Sequence, residues 1–271
     1  MKKFVIGDIQ GCLDELKILL DKLDFNSSSD QLIFVGDLVN RGPDSLGVLE
    51  YLYSINHCVI NTLGNHDLHL LALAMTDKRF KQKDESLIPI LESKNKNNLI
   101  EWLRHQPIIH EEPSHQSIMV HAGFHPLWDL KKIRKYAREI EMLIRSNDVS
   151  KILTHMYTDE SWSNNLKGTS RINSIINTFT RIRFIDQFGT CNFVEKNAPN
   201  KNNRFLMPWF KSNAMKHSKL NIFFGHWSTL GHFNYRNFVC LDGGCVWGEE
   251  MIAIDLENPS KPIKVKSLIS K

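Results

Sequence analysis

Residues 7–11 read GDIQG, set between the apolar run Phe4-Val5-Ile6 and the helix-like stretch DELKILLDKL at 14–23. A dense apolar run of this length reads as a strand buried on both faces. Gly7 permits a tight turn at its end, so Asp8 is presented at the strand's mouth. The same kind of ending recurs in QLIFVGD at 31–37, CVINTLGN at 58–65, SIMVHAG at 117–123 and NIFFGH at 221–226. Five short β-branched runs thus close on glycine and a polar group.

Between the early runs lie segments of helical period, first Leu13, Leu16, Leu19, Leu20 and Leu23, then Leu46, Leu49, Tyr51 and Leu52. Strand, helix and strand in alternation predict an α/β layered fold with the sheet covered on both sides. From about 95 to 187 the pattern is mostly helical and includes a long amphipathic stretch at Leu130 to Arg145; strands return at NIFFGH, FVCLDGG and MIAIDL. That return favours a single domain over 1–271 with a mostly helical insertion at about 95–187. The tract KNAPNKNN at 196–203 reads as a mobile surface loop.

With 271 residues, 42% hydrophobic and 24% charged, the chain is globular rather than disordered. A formal charge of +4 tolerates an anionic ligand but does not specify nucleic acid. Gly7 and Asp8 cut the first apolar run far short of a signal-peptide core, and the longest apolar stretch, 68–75, is too short to span a bilayer, so a cytoplasmic protein with no membrane partner is expected. The 5 cysteines contain no CxxC pair and read as reduced core thiols.

In open α/β sheets ligands gather where the carboxyl ends of strands release their loops. Collected there are Asp8 with Gln10, Asp37, Asn65 with His66, His121 and His226. Carboxylates, an amide oxygen and imidazoles are the donors of a divalent-metal pair, with manganese, iron or cobalt favoured over structural zinc.

GDIQG, GDLVNRG at 36–42, GNHD at 64–67, His121 and the His226 of FGHW resemble the motifs of the metallophosphoesterase superfamily, in the branch that contains phosphoprotein phosphatases. The longer segments GNHDLHLLALAM, EWLRHQP, VHAGFHPLWDL, FTRIRF, PWF, FGHWSTL and LDGGCVWG are similar to bacterial symmetrical bis(5′-nucleosyl)-tetraphosphatases. The resemblance covers Met1 to about Trp247. It implies a double β-sheet sandwich flanked by helices and the cleavage of diadenosine tetraphosphate into two ADP. It also implies removal of nucleoside-tetraphosphate caps from RNA 5′ ends, where the linkage is the same; no obligate protein partner is implied. Two divalent ions, Mn²⁺ or Co²⁺, would be held by Asp8, Gln10, Asp37, Asn65, His121 and His226, with Asp37 bridging. His66 would donate a proton to the leaving oxygen, and Arg41 would neutralise nonbridging oxygens. Arg181 and Arg183, read as two guanidiniums on one strand face, would clamp the remaining phosphates. Trp227 would stack on adenine or fill the core, and His69, one turn after His66, is read as packing.

Two positions depart from the wider motif. Gln10 stands where a histidine is usual, and a neutral amide is the weaker donor, so a looser first metal site is expected. Asn40 stands where phosphoprotein phosphatases carry an aspartate that orients the catalytic histidine, and tetraphosphatases resemble this chain in lacking that aspartate. The alternatives are a phosphoprotein phosphatase of the same fold and a dinucleotide-binding protein weakened in catalysis through Gln10.

Overall fold

Phe4, Val5 and Ile6 form the middle of a strand whose neighbours cover both of its faces, which explains why the run is apolar at every position. The computed structural model describes all residues except 78, 201–203, 213–218 and 271. In chain order the first half contains β1 (Lys3–Ile6), α1 (Leu13–Lys22), β2 (Gln31–Phe34), α2 (Ser45–Ser54), β3 (Val59–Asn61), α3 (Asn65–Met75), α4 (Ile88–Glu92) and α5 (Lys96–Arg104). The middle contains β4 (Ile109–Glu112), β5 (Ser117–Val120), α6 (Leu130–Ile144), α7 (Val149–Leu153) and α8 (Gly168–Arg181). After these come β6 (Phe184–Asp186), β7 (Cys191–Asn192), β8 (Leu206–Pro208), β9 (Asn221–Phe224), β10 (Phe233–Tyr235), β11 (Phe238–Cys240), β12 (Glu250–Asp255) and β13 (Ile263–Lys266).

Two five-stranded sheets are built from these strands, in the orders β13-β12-β1-β2-β3 and β10-β11-β9-β5-β4, beside a small sheet β7-β6-β8. The first pairs β1, β2 and β3 in parallel; the second does the same with β5, β9 and β11. The faces that meet form one core of Val5, Ile33, Val35, Ile252 and Ile254 from the first sheet with Met119, Phe223 and Leu241 from the second. The opposite faces pack against helices: Phe4, Ile6 and Phe34 share a core with Leu16, Leu19, Leu49 and Leu52. Each such side chain taken out of water contributes about 1.5–3 kcal/mol. The expected double sheet sandwich with flanking helices is therefore the fold.

The helical stretch of the middle region is Leu130–Arg181, in α6, α7 and α8. Within 95–187, however, β4 and β5 belong to the second sheet, because β5 lies against β9 at its centre. The stretch FTRIRF is not one strand. Its alternation runs across a boundary: Arg181 ends α8, Ile182 turns extended at φ −63 and ψ 134, and β6 begins at Phe184. Part of the tract 196–203, at 201–203, lies outside the described residues. Among the described residues no helix is long and apolar enough to cross a membrane.

Candidate metal centre and cleft

Each sheet delivers three polar groups to the same edge. The loops after β1, β2 and β3 carry Asp8, Asp37 and Asn65; those after β5, β9 and β11 carry His121, His226 and Asp242. Asp37, His121 and His226 bring ligand atoms within 4.8 Å of one another, all three buried. His121 Nε2 is 3.4 Å from Asp37 Oδ2, and one terminal atom of the Asn65 amide is 3.1 Å from His121 Nε2 and 2.8 Å from His226 Nδ1. Both Asp8 oxygens accept from the backbone N–H of His226 at 3.2 Å, which ties the first sheet to the second. Gln10, Asp8, Asp37, Asn65 and His226 all face one cleft.

The backbone is bent to achieve this. Gln10, Asp37, Asn40, Arg41 and His226 all have positive φ, between 46 and 79 degrees. Side-chain-bearing residues hold that conformation only where the surroundings enforce it, and such strain collects at functional sites. Glycines make room: a Cβ on Gly225 would lie 2.0 Å from Asp8 Oδ1, and one on Gly36 2.5 Å from His121 Nδ1. The second loop is held by Asp67, wholly buried in the first turn of α3, whose carboxylate accepts at 3.0 Å from the N–H groups of Asp37, Leu38 and Gly64 and from Asn61 Nδ2.

The donor set fits cations. His121 donates Nδ1–H to the carbonyl of Val35 at 2.8 Å, which turns its Nε2 lone pair toward Asp37. The Nε2 of His226 is buried with no hydrogen-bond partner. Burial pushes the Asp8 carboxyl well above the usual carboxylate range, with Asp242 and Asp37 adding repulsion, and burial lifts Asp242 to about 6. Buried carboxylates crowded in this way are relieved by positive charge placed among them. Asp242 also follows a strand and stands beside two glycines, so the strand-end pattern that points to the other candidate residues points to it as well.

Asn40 supplies the partner of His66. Its Nδ2 is 2.8 Å from His66 Nδ1, while its Oδ1 accepts from Arg41 N–H at 2.8 Å and from Ser86 Oγ at 3.2 Å. Those two donors fix the amide with nitrogen toward the ring, so Nδ1 accepts and the imidazole proton sits on Nε2. Burial, with help from the nearby Arg41, His121 and His69, draws His66 down to about 4 against the pull of Asp37. The ring is therefore neutral near pH 7.

The cleft has a volume of about 990 Å³. Around its floor stand Arg41, Arg79, Lys81, Lys83, Arg183 and Lys196. Arg183 donates Nη2 to the carbonyl of His226 at 3.0 Å, has an unpartnered buried Nε, and is drawn down to about 10 by burial. Arg181 also faces the cleft but is engaged by Thr158 O and Asn177 Oδ1 at 3.0 Å. Tyr157 hydroxyl donates to the carbonyl of Asn65, an anchor from α7's far side that no local motif announces.

Trp227 takes the core place of the two its sequence leaves open, and His69 sits differently from its expectation. Trp227 is 1% exposed, stacked edge-on to Phe184 and packed on Phe210, with Nε1 donating to Asn197 O, so it fills the core and offers no ring face to a ligand. His69 faces the cleft and contacts Asp84 Oδ1 through Nε2 at 2.9 Å, because the 3₁₀ turn at Gln82–Leu87 folds back over α3. Elsewhere, Cys12, Glu15 and Cys245 bring ligand atoms within 4.8 Å in a buried cluster, and all five cysteines are free thiols.

The calcineurin-like phosphoesterase family matches residues 1–252. The chain is 42% identical to the symmetrical bis(5′-nucleosyl)-tetraphosphatase of Thioalkalivibrio sulfidiphilus, over 95% of this chain and 96% of that protein. It is 40% identical to the protein of the same name from Methylococcus capsulatus, over 99% and 96%. Among solved structures, a candidate diadenosine tetraphosphatase superposes with a TM-score of 0.67 and 26% identity, covering 99% of this chain and 95% of that one. A cold-active protein-tyrosine phosphatase of Shewanella shares the fold alone, with TM-score 0.59 and 16% identity over 97% and 77%.

Proposed function

This chain belongs to the calcineurin-like phosphoesterase family, and on that premise we propose that it hydrolyses diadenosine 5′,5‴-P1,P4-tetraphosphate symmetrically into two ADP. Near full-length identity of 40–42% to symmetrical tetraphosphatases supports the substrate. The observation that carries the chemistry is the meeting of Asp8, Asp37, Asn65 and His226 in one cleft lined by basic residues, with His121 buried against Asp37, an arrangement suited to a chain of four phosphates.

Asp8, Gln10, Asp37, Asn65, His121 and His226 would hold two divalent ions, Mn²⁺ or Co²⁺ by donor type. When bound, the ions supply Lewis-acid stabilisation of phosphoryl charge and lower the pKa of water. Arg183, with its buried free Nε, takes a nonbridging oxygen nearest the floor; Arg41 and Arg181 meet oxygens further along the chain. His66 presents Nε2–H to the leaving oxygen. A neutral imidazole is a hydrogen-bond donor rather than a strong acid, and that suffices here. The leaving oxygen of ADP is a far weaker base than the alkoxide released from a phosphoserine. The amide at Asn40 thus favours the anhydride over the protein phosphatase alternative.

The same linkage joins a nucleoside-tetraphosphate cap to RNA, and the cleft's basic rim supports such an end as a second substrate. The cytoplasm, where these nucleotides are made, is the matching compartment. Chromatography of an Ap4A digest in Mn²⁺ tests the assignment. Two ADP are expected, whereas ATP with AMP, or no cleavage at any Mn²⁺ or Co²⁺ concentration, overturns it.

A further inference from the structure

We propose that Trp247 is the stacking platform for one purine base of the dinucleotide, a role that rests on the substrate assigned above. Its indole is 56% exposed, and among the exposed large apolar side chains of the described residues it is the one that lines the cleft. An exposed tryptophan leaves a large apolar face in water, and a flat aromatic partner is its natural cover.

The other aromatic rings of the cleft are already occupied. Arg181 lies 5.4 Å from the Tyr157 ring centroid and 5.1 Å from that of Phe193, and Tyr157 is further tied to Asn65 by its hydroxyl. Trp227 does not line the cleft and is enclosed by Phe184 and Phe210.

Trp247 is also held where a base would arrive. It ends a 3₁₀ turn, Cys245–Trp247, closed by its own N–H to Gly244 O at 2.9 Å and flanked by Gly244 and Gly248 at φ 74 and 83. Gly244 N–H in turn donates to Asp242 Oδ1 at 3.0 Å, on the floor of the metal centre. Five residue-to-residue steps lead from Asp242 to Trp247, at most about 17 Å if extended, and the turn shortens that. A nucleotide whose phosphate is seated on the floor thus has its base within reach of Trp247, in a cleft that Ser228 and Thr229 also line. The platform takes one base of the pair.

Calorimetric titration of the Mn²⁺-loaded full chain with ADP and with inorganic pyrophosphate separates base from phosphate. Trp247→Ala is expected to weaken ADP about five- to a hundredfold and leave pyrophosphate unchanged, while Trp247→Phe retains most of the ADP affinity. ADP binding unaltered in Trp247→Ala, or ADP and pyrophosphate weakened alike, overturns the proposal. Because product binding needs no turnover, an asymmetric Ap4A digest would refute the substrate assignment without touching this measurement.

Discussion

The amide nitrogen of Asn40 lies 2.8 Å from Nδ1 of His66, and the oxygen of the same amide is held from behind by Arg41 N–H and Ser86 Oγ. The contact sets the tautomer of His66 without lending it charge. Asn40→Asp would place a carboxylate against the ring and favour the imidazolium. Titration of His66 by imidazole NMR is expected to move up from about 4, by about one to three pH units. In the same variant the ratio of monoester to Ap4A hydrolysis rises, because an acidic His66 helps only the more basic leaving group. An unmoved titration would mean that Asn40 does not control the ring.

Asp67 acts on the second motif from below, with four donors at 3.0 Å on one buried carboxylate. Asp67→Asn leaves one acceptor oxygen and brings an NH₂ against backbone N–H groups. A loss of about 2–4 kcal/mol in unfolding free energy is expected, together with weaker Mn²⁺ binding, since the loop that carries Asp37 is released. Denaturant melts and metal titration of the variant check both.

Much of the site is legible in sequence because its parts repeat one local device, an apolar strand that ends on glycine and a ligand. Asp8, Asp37, Asn65 and His226 follow Gly7, Gly36, Gly64 and Gly225, His121 directly follows the strand residue Val120, and β-sheet pairing brings them together regardless of separation in the chain. What local pattern does not carry is the direction of a side chain set by distant packing. Trp227 and Trp247 lie in similar Gly-rich loops, yet Phe184 and Phe210 enclose the first, while the second is 56% exposed among the described residues. Arg181 and Arg183 alternate like strand neighbours although a helix ends between them. Asn40 and His66 meet only because two βα loops are adjacent in space.

Metal removal should reverse the pH dependence of stability at this site. Asp242 is held up at about 6 and Asp8 well above its usual 3.8, by burial first. For a carboxyl raised in the folded state, stability is fully present below the unfolded pKa and is lost as pH climbs through the folded one. Chelated protein is therefore expected to lose stability between about pH 4 and 6 from Asp242, with Asp8 adding a loss of the same sign as pH rises. Added Mn²⁺ displaces the protons and stabilises more strongly as pH rises. Thermal melts across pH 4–8, with chelator and with Mn²⁺, give the two slopes; identical slopes would remove these carboxylates from the metal centre.

Gly225→Ala asks whether Asp8 must stand where it does. The new Cβ would lie 2.0 Å from Asp8 Oδ1 and 3.0 Å from a methyl of Val35, so the carboxylate has to swing away or the β9 loop has to shift. Either movement breaks the pair of 3.2 Å contacts from His226 N–H. Ap4A turnover at low Mn²⁺ is expected to fall at least about tenfold, with partial recovery at high Mn²⁺, because His226 and Asp37 still offer ligands.

Gln10 is expected to set how tightly a first divalent ion is held. It is 6% exposed, faces the cleft, and is locked at φ 46 with its N–H on Asp37 O at 2.8 Å and its carbonyl accepting from Gly42 N–H at 2.9 Å. The backbone thus delivers whatever side chain stands there to the metal centre. An amide oxygen is a weaker donor to Mn²⁺-class ions than an imidazole nitrogen. Gln10→His is expected to lower the Mn²⁺ concentration for half-maximal Ap4A turnover by about tenfold, or about 1.4 kcal/mol, while leaving the maximal rate within a few-fold. Turnover that appears only in Gln10→His would instead identify the natural chain as a dinucleotide binder, and a variant with unchanged metal demand would show that position 10 ligates nothing.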